Sequence, residues 1–177
     1  EIGVRLVGSE MCIRDRNYVG EHAALATMLA DGSAEIGMLP EPNVTSTLAG
    51  NDNLRIALNL TEEWNKVCST ELVQGVVIAR KSFVNEHPEA IEQFLREYEK
   101  SSAFVNENID EAAKLIVDAG ILGNVEIAKK AIPNCNISFS KGEAMHKAVE
   151  GMLTVLFEAN PKSIGGKLPD KDFYYGI

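Results

Sequence analysis

Three cysteines, Cys12, Cys68 and Cys135, are too few and too scattered for a CxxC pair or a closed zinc-ligand set. The three histidines, His22, His87 and His146, lie far apart, and none sits in an HExxH pattern. There is one tryptophan, Trp64. No apolar run approaches the roughly 20 residues that cross a bilayer. Basic clusters are missing as well. Lys and Arg number 17 against 26 Asp and Glu, a net charge of -9, which excludes a surface built to track phosphates. The stretch SIGGKLPD (163–170) lacks the earlier glycine and the hydroxyl residue of a phosphate loop, so it reads as a turn. Nothing groups a nucleophile with a base and an orienting residue. The expectation is a globular protein without catalytic apparatus, metal, cofactor or nucleic-acid partner.

The opening residues stand apart from the rest. LVGSEMCIRD (6–15) has no helical or strand period. Read codon for codon as CTC GTG GGC TCG GAG ATG TGT ATA AGA GAC, it resembles the tail of a transposase-based sequencing adapter. The next adapter bases permit Arg16, those before it permit Arg5, and Glu1 and Ile2 fit the end of the flow-cell tail. Residues 1–16 are therefore expected to be a non-native lead, excluded from fold reasoning together with Cys12. The native part then begins at Asn17, inside a gene. Cys68 and Cys135 could form a disulfide only if the fold brings them together.

From Asn17 the residue pattern is fluent. Residues 17–20 read as a strand end, followed by a helix over 21–30. Leu25, Met28 and Leu29 give its period, and Asp31-Gly32 the stop. The short apolar runs AEIGML (34–39), LRIALNL (54–60) and QGVVIA (74–79) predict strands. Pro40-Glu41-Pro42 turns the chain into a short helix over 43–48. Longer helices are predicted over 85–106, 110–119, 125–132 and 143–158. The first presents Ile91, Phe94, Leu95, Tyr98, Ser102 and Val105 on one face; the last turns Met145, Val149, Met152, Leu153 and Leu156 inward. The closing aromatics Phe173, Tyr174 and Tyr175 are expected to dock on a core. Strands alternating with helices in the first half predict an α/β protein with a largely parallel sheet.

The order of short motifs adds to this reading. LADGSAEIG, then PEP, then ELVQGVVIARKSFVNEHPEAIEQFLREYEKS, then FVNENIDEAAKLI, resembles the substrate-binding proteins of ABC importers. The branch it is most similar to handles nitrate, taurine, sulfonates and thiamine-precursor pyrimidines. NPKSIGGKLPDKDFYYG is similar to a subgroup common in anaerobic Gram-positive bacteria. The resemblance implies an α/β, periplasmic-binding-protein-like type II fold, here incomplete. Residues 17–60 would finish the second lobe. Residues 61–177 would hold the hinge crossover and the return to the first lobe, the chain crossing near 59–64. It also implies an extracytoplasmic protein, periplasmic or lipid-anchored to the outer face of the membrane. That protein would be a monomer when full length, capturing a small-molecule solute by hinged closure and handing it to an ABC permease. Two other classes share the fold: the pyrimidine-precursor synthase of yeast-type thiamine biosynthesis, and the ligand-sensing effector domain of LysR-type regulators.

In open α/β sheets ligands sit beyond the carboxyl ends of strands, where helix N-termini offer unpaired N–H groups. Pro40, Glu41 and Asn43 occupy such a junction, and Gly20 begins a similar one. Glu41 or Asn43 could hydrogen-bond a ligand, and the charge of Glu41 would suit a nitrogen donor. Equally, Glu41 could cap the helix, favourable by about 0.3–1 kcal/mol against the macrodipole. Trp64, near the crossover, could stack on a flat ligand or simply pack. Gln74, with Gly75, could line the cleft floor. For the lead, re-amplification from the source sample is expected to give different sequence upstream of the Asn17 codon. Recovery of the same sixteen codons from unfragmented DNA would show the lead to be genuine.

Overall fold

The computed structural model describes residues 17–177, and among them peptide groups are closed in helices. The sixteen-residue lead and Cys12 lie outside the described residues. In chain order the helices are α1 (His22–Ala30), α2 (Asn43–Gly50), α3 (Leu60–Val67), α4 (Lys81–Glu86), α5 (Pro88–Glu107), α6 (Ile109–Asp118), α7 (Val125–Ala131) and α8 (Gly142–Ala159). Short 3-10 turns follow at Ile132–Asn134, Pro161–Ile164 and Lys171–Phe173.

The expected α/β architecture is overturned: no strand or bridge is formed among the described residues. The runs expected at 34–39, 54–60 and 74–79 are irregular, apart from Leu60, which opens α3. Among the described residues no backbone hydrogen bond is made by residues 36–39, 55–58 or 74–79. A strand is held by a neighbour across the ladder and by side-chain pairs on its faces, and β-propensity alone supplies neither. Solvent exposure records that lack, with Ile36 91% and Met38 74% exposed.

Local signals explain where the helices start and stop. Asn59 caps α3, its Oδ1 accepting from the N–H groups of Thr61 (3.1 Å) and Glu62 (3.4 Å). Its Nδ2 donates to Glu62 Oε1 at 3.1 Å. This Asn-x-x-Glu pattern is a helix-start signature, and it makes a helix of much of the stretch read as a crossover. The helix predicted over 85–106 is two helices broken at His87, whose φ -132°, ψ 54° is non-helical. The ring of Pro88 clashes with a helical preceding residue, yet suits the first position of α5. Asn124 caps α7, accepting from Glu126 N–H (2.8 Å) and Ile127 N–H (3.1 Å), and Pro133 follows its end.

Two units make up the chain, residues 17–55 with 113–135, and residues 56–112 with 136–177. In the first, α1, α2 and α7 pack around Leu29, Thr47, Ala113, Ala128, Ala131 and Ile132, all buried. Asn51 Nδ2 donates to the Ala30 carbonyl at 2.9 Å, satisfying an acceptor at the end of α1 that has no intrahelical donor. Between α1 and α2 the chain passes back over α1 so closely that a Cβ at Gly37 would sit 2.8 Å from Leu29 Cδ1.

In the second unit, residues 137–141 run along α5. Asn106 Nδ2 donates to the Ile137 carbonyl (2.9 Å), the rings of Tyr98 and Phe139 meet edge to face, and Lys141 pairs with Glu99 at 3.1 Å. On α8, Val149 is buried, and Met152, Leu153 and Leu156 are half-buried against residues 73–76. The aromatic tail docks in part: Tyr174 is buried edge-on to His146 (4.4 Å), whereas Phe173 and Tyr175 stay exposed. Tyr175 hydroxyl donates to Glu92 at 2.8 Å, and Asp172 pairs with Lys81 at 3.1 Å. The connection after α3 presses on α8 at Gly151, where a Cβ would meet Thr70 Cγ2 at 2.7 Å. Thr70 Oγ1 is buried there without a hydrogen-bond partner.

Gly151→Ala is therefore expected to lower the chemical-denaturation midpoint. Overpacking costs about 1–3 kcal/mol, more than the roughly 1 kcal/mol an alanine gains over glycine inside a helix. Adding Thr70→Ala removes both the clashing methyl and the unpartnered hydroxyl. The double variant, in which only the contact with Cβ of residue 70 at 3.1 Å remains, should recover most of the lost stability.

Candidate functional site

The junction before α2 is built from Pro40, Glu41, Pro42 and Asn43. Pro42 occupies the cap position, one residue earlier than the first helical turn, and the Glu41–Pro42 peptide is cis. Glu41 is half-buried, and both of its carboxylate oxygens are engaged. Oε2 accepts from Thr45 N–H at 3.1 Å and Oε1 from Thr45 Oγ1 at 3.0 Å. The other early amides of the helix are also satisfied. Asn43 and Val44 N–H donate to the Pro40 carbonyl (3.0 and 3.2 Å), and Ser46 N–H to the Pro42 carbonyl (3.0 Å). The expected unpaired N–H groups are thus absent at residues 43–46, and Glu41 supplies one of the acceptors that removes them.

This arrangement leaves Glu41 chemical capacity. An ionised carboxylate offers about four lone-pair directions, and Thr45 occupies two. The side chain can cap α2 and still accept from an N–H donor outside the helix. Asn43 is half-buried, and its carbonyl accepts from Thr47 Oγ1 at 2.7 Å. Pro40 is exposed, as is Gly20, where a Cβ would meet no atom within 4 Å. These four residues belong to the first unit.

Trp64 and Gln74 belong to the second unit. Trp64 is half-buried, and its indole N–H donates to the Thr70 carbonyl at 2.7 Å. Its polar edge is thereby committed to closing the loop after α3, which favours packing over stacking on a ligand. Gln74 and Gly75 line one side of an apolar groove of about 200 Å³, with Val149, Met152, Leu156 and Phe173 among the residues opposite. A larger open cleft of about 480 Å³ is lined by Lys81, Glu143, His146, Lys171, Asp172 and Tyr174. His146 lies 3.8 Å from both Glu143 and Glu150. Their spacing of three and four residues on α8 is legible in the sequence. Among the described residues no group of three or more His, Cys, Asp or Glu could hold a metal ion. Cys68 and Cys135 are free thiols.

Cys135 reports on Glu41. Burial raises its thiol above the ordinary value, and the negative charge of Glu41 raises it further. In a chain carrying serine at positions 12 and 68, the alkylation rate of Cys135 should rise only at higher pH than for a free thiol. Glu41→Gln removes the charge and should move that profile to lower pH. Part of the upward shift should remain, since burial is its larger cause. An unchanged profile would separate the two groups electrostatically.

No protein-family model matches the chain, and no curated protein does. Its fold is similar to a crystal structure of an ABC transporter from Parabacteroides distasonis, with a TM-score of 0.74 at 22% sequence identity. The likeness covers 89% of this chain and 55% of the other, so this chain spans about half the length of that protein.

Proposed function

We propose that the chain is part of the solute-binding subunit of an ABC importer, in the branch serving nitrate, taurine, sulfonates and thiamine-precursor pyrimidines. The observation that supports it is the fold likeness, TM-score 0.74 over 89% of the chain, to a protein described as an ABC transporter. The order of motifs from LADGSAEIG to KLPDKDFYYG points the same way. In this reading the subunit works outside the cytoplasm, captures a small solute by hinged closure of two lobes, and delivers it to a membrane permease. It binds and performs no chemistry. Glu41 accepts a hydrogen bond from a nitrogen of the solute with the lone pairs that Thr45 leaves open.

The test uses the full-length protein. Calorimetry against taurine, nitrate, alkyl sulfonates and aminopyrimidines should reveal one tight ligand, and that ligand-loaded protein should stimulate ATP hydrolysis by its permease. Binding to none of them, with no stimulation, would sink the reading. Within it, if the ligand is one with an N–H donor (taurine or an aminopyrimidine), Glu41→Ala should weaken its affinity about ten- to a hundredfold, the worth of a charge-assisted hydrogen bond of about 1.5–3 kcal/mol. It should also lower the melting temperature, because Thr45 loses its acceptor. Glu41→Gln keeps an oxygen for Thr45, so its affinity loss should exceed its loss of stability. A lowered melting temperature with unchanged affinity would make Glu41 purely structural.

A further inference from the structure

Asp31 is followed by Gly32, and no other Asp or Asn in the chain precedes a glycine. Glycine carries no Cβ, so the peptide nitrogen it supplies is unshielded. Asp31, Gly32 and Ser33 are all exposed, and a Cβ at Gly32 would meet no atom within 4 Å. The Gly32 N–H makes no backbone hydrogen bond among the described residues. A nitrogen free to attack thus lies next in sequence to a side-chain carboxyl group whose Cγ could join it in a five-membered ring, with water at hand.

We propose that the Asp31–Gly32 peptide is a site of spontaneous isoaspartate formation, and that Ser33 is the residue that slows it. The Gly32 nitrogen attacks Asp31 Cγ. A C–N bond forms, the Cγ–OH bond breaks, and the amide proton leaves with the hydroxyl as water, giving a succinimide. Water then opens the ring. Cleavage at the Cγ–N bond restores aspartate; cleavage between the main-chain carbonyl carbon and the nitrogen leaves the chain running through Cβ. Nothing is oxidised or reduced, and water is the only co-reactant. Three features of the fold oppose the first step. The ψ of Asp31 is -5°, which eclipses the Gly32 nitrogen with the Asp31 nitrogen rather than with Cβ, where ring closure needs it. Asp31 N–H is bound to the Thr27 carbonyl and Ala34 N–H to the Met28 carbonyl, each at 2.9 Å, so the turn is held at both ends. Ser33 donates twice to Asp31 Oδ1, from Oγ at 2.6 Å and from N–H at 2.9 Å. These bonds fix the carboxylate and favour its ionised form, from which no hydroxyl can leave. Isomerisation lengthens the path from α1 to Gly37 by one backbone atom, just before the chain closes over Leu29.

The test incubates the full-length protein in neutral buffer and follows isoaspartate in the peptide that contains Asp31, by peptide mapping and enzymatic carboxyl methylation. Isoaspartate should accumulate there slowly. Ser33→Ala should raise the rate in the folded protein about three- to tenfold, the worth of one exposed hydrogen bond to a charged group. Ser33→Thr, which keeps the hydroxyl, should age like wild type. Asp31→Glu cannot close a five-membered ring and should give no signal in that peptide. In urea, wild type and Ser33→Ala should age at one common rate, faster than folded wild type. The site is overturned if isoaspartate is absent from that peptide while it accumulates elsewhere in residues 17–177. The guarding role is overturned if folded Ser33→Ala ages no faster than wild type, or if its excess rate persists in urea. A folded chain that ages as fast as the unfolded one would overturn the protection altogether.

Discussion

The structure depends on peptide groups finding their partners close by in sequence. The turns and caps among the described residues close within six positions, and the helices close within themselves. What joins one part of a unit to another is therefore side-chain chemistry. Asn51 reaches back to Ala30, Asn106 to Ile137, and Tyr175 to Glu92, each spanning more than twenty residues with a single hydrogen bond. The two amides meet backbone carbonyls and Tyr175 meets a carboxylate, so each fixes a loop or tail against a helix rather than one helix against another. Helix against helix is left to small apolar contacts, Ala128 and Ala131 on α7 among them.

Much of the helical structure was legible in the residues. The periods of α1, α5 and α8, the Asp31-Gly32 stop and the Pro133 stop all appear as the sequence implies. Asp31 itself is bound by Ser33 N–H and Oγ, and these bonds hold its carboxyl below the ordinary range. The capping pattern Asn59-x-x-Glu62 and the His87-Pro88 break were equally available, being local signals. The sheet was misread because a strand is not a local object. QGVVIA and AEIGML have the composition of strands, but only a partner across the ladder converts composition into structure. Of the site, the position of Glu41 before a helix was readable. The commitment of both its oxygens to Thr45 was not, since a four-residue reach can as easily leave that carboxylate in solvent.

Glu41 caps α2 and, in the function proposed above, would also meet the solute. A residue that only caps is replaceable by any short acceptor, and one that only binds is free to vary with the ligand. A carboxylate doing both is constrained twice, and Cys135 beside it adds a neighbour whose ionisation that charge opposes. Substitutions at Glu41 are thus read correctly only when folding and affinity are measured together.

No large side chain is fully enclosed among the described residues, and the most deeply buried positions of the first unit are alanines. Such a molecule has no keystone. Truncating a large apolar residue opens little fully enclosed void, because each keeps some exposure to water, and the penalty scales with the cavity left behind. The packing then depends less on the identity of most apolar residues than on small ones at helix crossings, such as Ala128 and Ala131. A fold built this way can keep its backbone path with most residues replaced, and the likeness at 22% identity and a TM-score of 0.74 fits that tolerance.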